Sequence, residues 1–139
     1  MLLHKSQTVD FSLAADVDPK AGTPDADPNF KKTVFHLGTI DPLIAARIID
    51  SNMEVRRVTD EDSRSVFHTD EQLYIFAQLG IKGWENFNAP FAVEEKTIYG
   101  FKVFAVKDEL MSKFLLNDIL EIGKAVKDLV TIGVKEIKN

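Results

Sequence analysis

The chain has no cysteine, which excludes disulfides, thiolate metal sites and a cysteine nucleophile, and leaves the redox compartment open. It lacks an apolar run of the roughly 18 residues that a membrane span needs, the longest candidates being broken by Lys or Asp. Met1-Leu2-Leu3-His4-Lys5 leads into polar residues rather than the apolar stretch of a secretion signal. The expectation is a protein made in the cytoplasm with no membrane partner. The three histidines, His4, His36 and His68, share no zinc-binding spacing. Neither a Gly-x-Ser-x-Gly elbow nor a glycine loop able to cradle phosphate occurs. Cations are in the minority, 17 Lys and Arg against 22 Asp and Glu for a net charge of -5. That balance weighs against nucleic acid as a partner, because phosphate binding calls for clustered cations. No catalytic set, cofactor site, metal site or small-molecule substrate is indicated.

What is present is ample core material: 139 residues, 45% of them hydrophobic, with ten Phe. A chain of this size buries roughly 68–70% of its unfolded surface, enough for one domain without staples.

Thr8 to Ala14 alternates, with Val9, Phe11 and Leu13 on one side, and reads as a half-buried strand. Asp16 to Asn29 follows, with Pro19, Pro24 and Pro28, four Asp and Gly22. This mixture blocks both ladder bonding and helix formation, so the segment reads as an irregular connection. Asp16, Asp18, Asp25 and Asp27 could gather a calcium ion, yet as an EF-hand loop the segment fails, with Lys20 and Ala21 where a ligand and a glycine are needed. Residues 1–32 thus form an extended N-terminal arm, and residues 33–139 the single folded domain.

Thr33 to Leu37 reads as a second strand, ended by Gly38. Asp41-Pro42 opens a helix to about Asn52, with Leu43, Ile44 and Ile48 toward the core. Glu54 to Ser65 is dense in charge and reads as an exposed connection with room for a short strand, Asp60-Glu61-Asp62 as a solvated acidic run and Arg56-Arg57 as a salt-bridged surface. The capping box Thr69-Asp70-Glu71-Gln72 predicts a helix start, and Leu73, Phe76, Ala77 and Gly80 one face of that helix. Thr97 to Val106 predicts a strand or hairpin around Gly100, with both faces partly covered, and Asp108 caps a short helical turn. Asn117 caps a last helix with Ile119, Ile122, Val126 and Leu129 on one face, ended by Gly133 and the charged tail. The fold class is α+β, a small sheet with about three helices packed on it and an extended arm.

The most distinctive string is Gly80-Ile81-Lys82-Gly83-Trp84-Glu85-Asn86-Phe87, which carries the only tryptophan. Two glycines permit backbone angles that other residues resist, and Trp84 and Phe87 can anchor a turn there. Trp84 has two readings, an exposed anchor at a protein interface or a residue packed under the last helix.

Phe35-His36-Leu37-Gly38, Ala45-Ala46-Arg47-Ile48-Ile49-Asp50, the Gly-Trp-Glu-Asn-Phe block and Asn117-Asp118-Ile119-Leu120-Glu121 together resemble a family of small virion-morphogenesis proteins of tailed bacteriophages. The resemblance covers about residues 33 to 130. The chain departs from it at Asn88-Ala89-Pro90-Phe91, where similar proteins tend to carry a longer acidic glycine turn. The resemblance implies a non-enzymatic, virion-associated structural protein that decorates the capsid or sits at the head-tail junction. Its partners would be capsid or neck subunits and further copies of itself. The alternative is an assembly chaperone for tail or capsid, absent from the mature particle. An arm of strand-forming residues on a Pro/Asp linker suits strand addition to a neighbour's sheet. The candidate interface residues are therefore Val9, Phe11, Leu13 and Phe30 in the arm, with Trp84 and Phe87.

Overall fold

A computed structural model describes the backbone of residues 7–59 and 62–138 and the side chains of residues 7–51 and 70–130. The fold is α+β, with five strands in two antiparallel sheets and four helices among the described residues.

Asp41 caps the first helix as its chemistry requires: its side chain accepts from Leu43 N at 2.9 Å and its carbonyl from Ala45 N. The helix, α1 (Pro42–Thr59), buries Ala45 and Ile48, half-buries Ile44 and leaves Leu43 exposed, so Leu43 is not a core residue. The next helix, α2 (Asp62–Gly80), begins almost at once, and most of the charged segment expected as a connection is helical. Glu54, Arg56, Arg57 and Arg64 favour a helix there, although Val, Thr, Asp and Ser beside them do not. The side chains of Arg56, Arg57, Arg64, His68 and Thr69, like His4 and residues 60 and 61, lie outside the described residues. Because α2 starts at Asp62, Thr69-Asp70-Glu71-Gln72 is helix interior and not a cap. Gln72 is buried and accepts a hydrogen bond from Lys127 Nζ at 2.7 Å.

The C-terminal half of α2 is the centre of the core, with Phe76, Ala77, Gln78, Leu79 and Gly80 all buried. The last helix, α4 (Leu116–Lys138), crosses it, and Ile119, Ile122 and Val126 form the buried stripe that their spacing predicts. This helix starts one residue before Asn117 and runs on through Gly133. Gly80 and Gly123 set the closeness of the crossing. A Cβ on Gly80 would lie 2.4 Å from a Val126 methyl, and one on Gly123 only 2.0 Å from the Leu73 carbonyl oxygen.

The larger sheet has the order β1 (Val9–Phe11), β2 (Val34–Leu37), β3 (Ile81–Glu85). The segment expected as a glycine-permitted turn is thus the strand β3, which leaves α2 with no intervening loop. Its glycines do not have left-handed backbone angles, which among the described glycines occur at Gly22 and Gly100. Their smallness serves their neighbours: Gly80 admits Val126, and Gly83 lies under the His36 ring. A bulge at Lys82, between the pairs Leu37↔Ile81 and His36↔Gly83, lets Ile81 and Trp84 both reach the core side although they are three residues apart.

The arm is likewise more closely integrated than its composition suggests. Strand β1 pairs with β2 of the same chain (Val9↔Leu37, Asp10↔His36, Phe11↔Phe35), and Phe11 and Leu13 pack against the core. The Pro/Asp segment is a string of turns braced by its own carboxylates. Asp16 accepts from Thr33 N at 2.7 Å, Asp18 from Lys20 N and Asp27 N, and Asp27 from Asn29 N. These aspartates serve as backbone acceptors. Ser12 Oγ donates to the Thr33 carbonyl and Ala14 N to Glu121, closing the segment onto β2 and α4.

The second sheet is a hairpin, β4 (Val93–Ile98) and β5 (Phe101–Val106), which begins four residues before the predicted stretch. Its two-residue turn has φ 49° at Tyr99 and 85° at Gly100, the left-handed pair that suits the twist of a hairpin. Removal of residues 1–32 strips an edge strand and two half-buried apolar side chains, so the truncated chain should lose about 2–3 kcal/mol of stability. Thermal unfolding checks this, and an unchanged midpoint would restore a detachable arm.

Candidate functional site

Three surfaces could carry function, and each is built from a different part of the fold. The first surrounds Trp84. Its ring lies against Phe35 of β2, Phe87 and Phe91 of the segment after β3, and Phe114 between α3 (Asp108–Met111) and α4, with centroids 4.8 to 6.2 Å away. Phe87 and Phe114 stack at 4.9 Å. Trp84 Nε1 donates to the Ala89 carbonyl at 2.8 Å, which fixes the ring and folds the Asn88-Ala89-Pro90 turn beneath it. Edge-to-face and stacked pairs contribute beyond the area they bury, so the block fastens three chain segments together. Trp84 and Phe87 are half-buried in this cluster. Beside it an open cleft of about 340 Å³ is lined by Ala89, Ala92 and Leu110 together with Lys107, Glu109 and Lys113.

The second surface is the outer face of the three-stranded sheet. His36 Nδ1 lies 2.9 Å from Asp10 on β1, and Nε2 lies 3.5 Å from Glu85 on β3. The two carboxylates are 72% and 64% exposed, so the set lies open to water and does not converge in an enclosed pocket, and the Nδ1–Asp10 hydrogen bond joins β1 to β2. Lys82 is exposed as a residue, but its ammonium donates to the Leu79 carbonyl at the end of α2, and burial there pulls its pKa below the usual lysine range. Among the described residues no group of three or more His, Asp or Glu could hold a metal ion, and no described helix is long and apolar enough to cross a membrane.

The third is the hairpin and its polar latch. Gln78 on α2, only 4% exposed, donates from Nε2 to both the Val106 carbonyl at 2.8 Å and Asp108 at 2.7 Å. Asp108 also takes the Lys96 ammonium at 2.6 Å, and its backbone N–H donates to Glu94. Asp108 therefore sits within the first turn of α3, where Lys107 is the cap residue and makes no side-chain cap bond. The bonds from Lys96 and then from Gln78 hold the Asp108 carboxyl below its ordinary pKa. Tyr74 nearby is pushed up, first by burial and then by the charge of Asp108.

No family model, curated protein or solved structure matches the chain. Function must be read from its own surfaces. Of the six residues that the sequence proposes for an interface, the structure brings Trp84 and Phe87 together in the aromatic cluster and packs Phe11 and Leu13 on the core. Val9 and Phe30 stay exposed. The latch and the outward face of the hairpin, where Phe104 is 69% exposed, were not singled out from sequence. Alternation in β5 contained the signal for Phe104. The polar network offered none, since its members lie far apart in the chain.

The latch gives a pH prediction. The folded-state pKa of Asp108 is below the unfolded one, so its contribution is complete above about pH 4 and is lost as pH falls through the lowered value. Asp108→Asn should lower the melting temperature at neutral pH, and the gap to wild type should close in acid. A gap that is constant from neutral pH to acid would show that the carboxylate charge is not what holds the hairpin.

Proposed function

We propose that the chain is a non-enzymatic structural protein of a tailed-phage particle, decorating the capsid or reinforcing the head-tail junction by binding neighbouring capsid or neck subunits. The observation that carries this reading is the edge position of β1. It lies at one side of the larger sheet with β2 as its only strand partner among the described residues, and an edge strand so placed suits the addition of a strand from a neighbour. Exposed Val9 and Phe30 flank that edge and the turns leading from it. The arm then serves as an acceptor held in place by its own domain, and a subunit docks along it. The family resemblance of the Gly-Trp-Glu-Asn-Phe block gives the setting.

Quantitative mass spectrometry of purified particles tests the proposal. The protein should be present in stoichiometric amount, and its absence from mature particles ends the structural reading in favour of an assembly chaperone. Within particles, Val9→Asp should reduce incorporation while leaving the free protein folded, because it places a charge on the exposed edge and removes little from the core.

A further inference from the structure

Along the β4–β5 hairpin, alternation separates two faces. Ile98 and Val103 pack toward the core, and Lys96 and Glu94 reach Asp108. The other face presents Val93, Glu95 and Thr97 from β4 with Lys102 and Phe104 from β5, in the cross-strand pairs Glu95↔Phe104 and Thr97↔Lys102. Phe104 is 69% exposed and Val93 43%. A lone surface hydrophobe needs no explanation, but three further features coincide here. Tyr99, exposed at the tip, has φ 49°, a left-handed conformation that Asn would adopt with less strain. Glu95 and Lys102 form no ion pair or hydrogen bond among the described residues, whereas Glu94 and Lys96 on the inner face do. Finally, the edge of β4, which pairs with no strand other than β5 among the described residues, is protected. Antiparallel pairing of two copies about a two-fold axis sets one residue opposite itself, and at the strand's middle that would be Glu94, Glu95 or Lys96, each facing a like charge. Along β4 the exposed face is therefore better suited to a second copy than the edge.

We propose that this outward hairpin face docks on the same face of a second copy of the chain, with Phe104 against Phe104 and each Glu95 beside the other copy's Lys102. An isologous interface must be complementary to itself, and a patch carrying one sign of charge would repel its copy. Here both signs flank the aromatic centre. From Phe104, Glu95 lies across the ladder by about 5 Å, and Lys102 lies along the strand by about 7 Å. A two-fold axis in the contact plane that bisects these two directions exchanges them. The strands of the two hairpins then cross near a right angle, one of the two established ways for sheets to pack face to face. The apolar centre supplies attraction and the two Glu95–Lys102 pairs fix the orientation. A single hairpin face is small, so the contact is weak for an isolated pair and is strengthened where many copies are held side by side.

Sedimentation velocity of the full chain over a rising concentration series is the test. Wild type should pass reversibly from monomer to dimer. Phe104→Ser should weaken association about tenfold or more at an unchanged melting temperature, since the side chain is mostly in water. Glu95→Lys alone and Lys102→Glu alone should each weaken it, because like charges then meet at both pairs. An equimolar mixture of those two variants should regain a dimer, because the lysine introduced in one copy then meets the glutamate introduced in the other, and a merely misfolded variant would not recover. A wild type that stays monomeric, a dimer indifferent to Phe104→Ser, or a mixture that stays apart overturns the proposal. This inference does not rest on the phage reading. A monomeric wild type leaves that reading intact, and absence from particles leaves the dimer intact.

Discussion

Gly123→Ala should destabilise the protein by about 3 kcal/mol or more, the upper end of what overpacking costs. The sign is informative, because in an exposed helix the same change is favourable by up to about 1 kcal/mol. Here the added methyl would meet the Leu73 carbonyl oxygen at 2.0 Å and its carbon at 2.7 Å. These are backbone atoms of α2, and no rotamer change can move them. Relief requires α4 to withdraw from α2, and that opens the contacts of Ile122 and Val126, both wholly buried, with the Phe76 region of the core. Against a total stability of about 5–15 kcal/mol, a loss of this size is large. Gly80→Ala is the matched comparison. Its methyl would meet the Val126 side chain at 2.4 Å, which a smaller partner can relieve, so Val126→Ala should partly rescue Gly80→Ala and should not rescue Gly123→Ala. Urea unfolding followed by circular dichroism decides it. A Gly123→Ala midpoint equal to or above wild type would show that the helices are not this close.

Two glycines, Gly80 and Gly83, mark the limit of what the sequence discloses. The α+β class, the Asp41-Pro42 start of α1 and the Ile119, Ile122, Val126 stripe of α4 follow from local chemistry and periodicity, and the structure has them. Gly80 and Gly83 were legible as special but not as to why. Their reason is the size of Val126 and of the His36 ring, neighbours 46 and 47 residues away by number, and no local pattern contains a tertiary distance. The capping box at Thr69 failed for a related reason. It is a valid start signal, but the helix begins at Asp62 although only Arg64 among residues 62–68 is a good helix former, so local propensity does not account for the earlier start. Strand β1 was legible as a strand, whereas its partner was not. Alternation fixes which side of a strand is apolar, and the choice between its own β2 and a neighbour's edge depends on a connection whose order comes from Asp16, Asp18 and Asp27 accepting particular amides.

Trp84→Ala should cost about 3–5 kcal/mol, as for other large aromatic truncations. The residue is only half-buried, so area alone would suggest less. Its ring, however, contacts four other aromatic rings, and its Nε1 holds the Ala89 carbonyl. Loss of the ring leaves Phe87, Phe91 and Phe114 around a gap and frees the turn that closes them over β2. Trp84→Phe separates the two contributions. It keeps an aromatic body and gives up the bond to Ala89, and it should cost about 1–2 kcal/mol, mostly for the unmet carbonyl. Both variants must be followed by far-ultraviolet circular dichroism, because the chain's only tryptophan is the one removed. The outcome also bears on where the protein binds. If Trp84→Ala unfolds and fails to join a particle, packing is sufficient explanation. A Trp84→Ala protein with wild-type stability that nonetheless fails to assemble would make the ring a contact surface, and the interface would then include the aromatic cluster as well as the edge at β1.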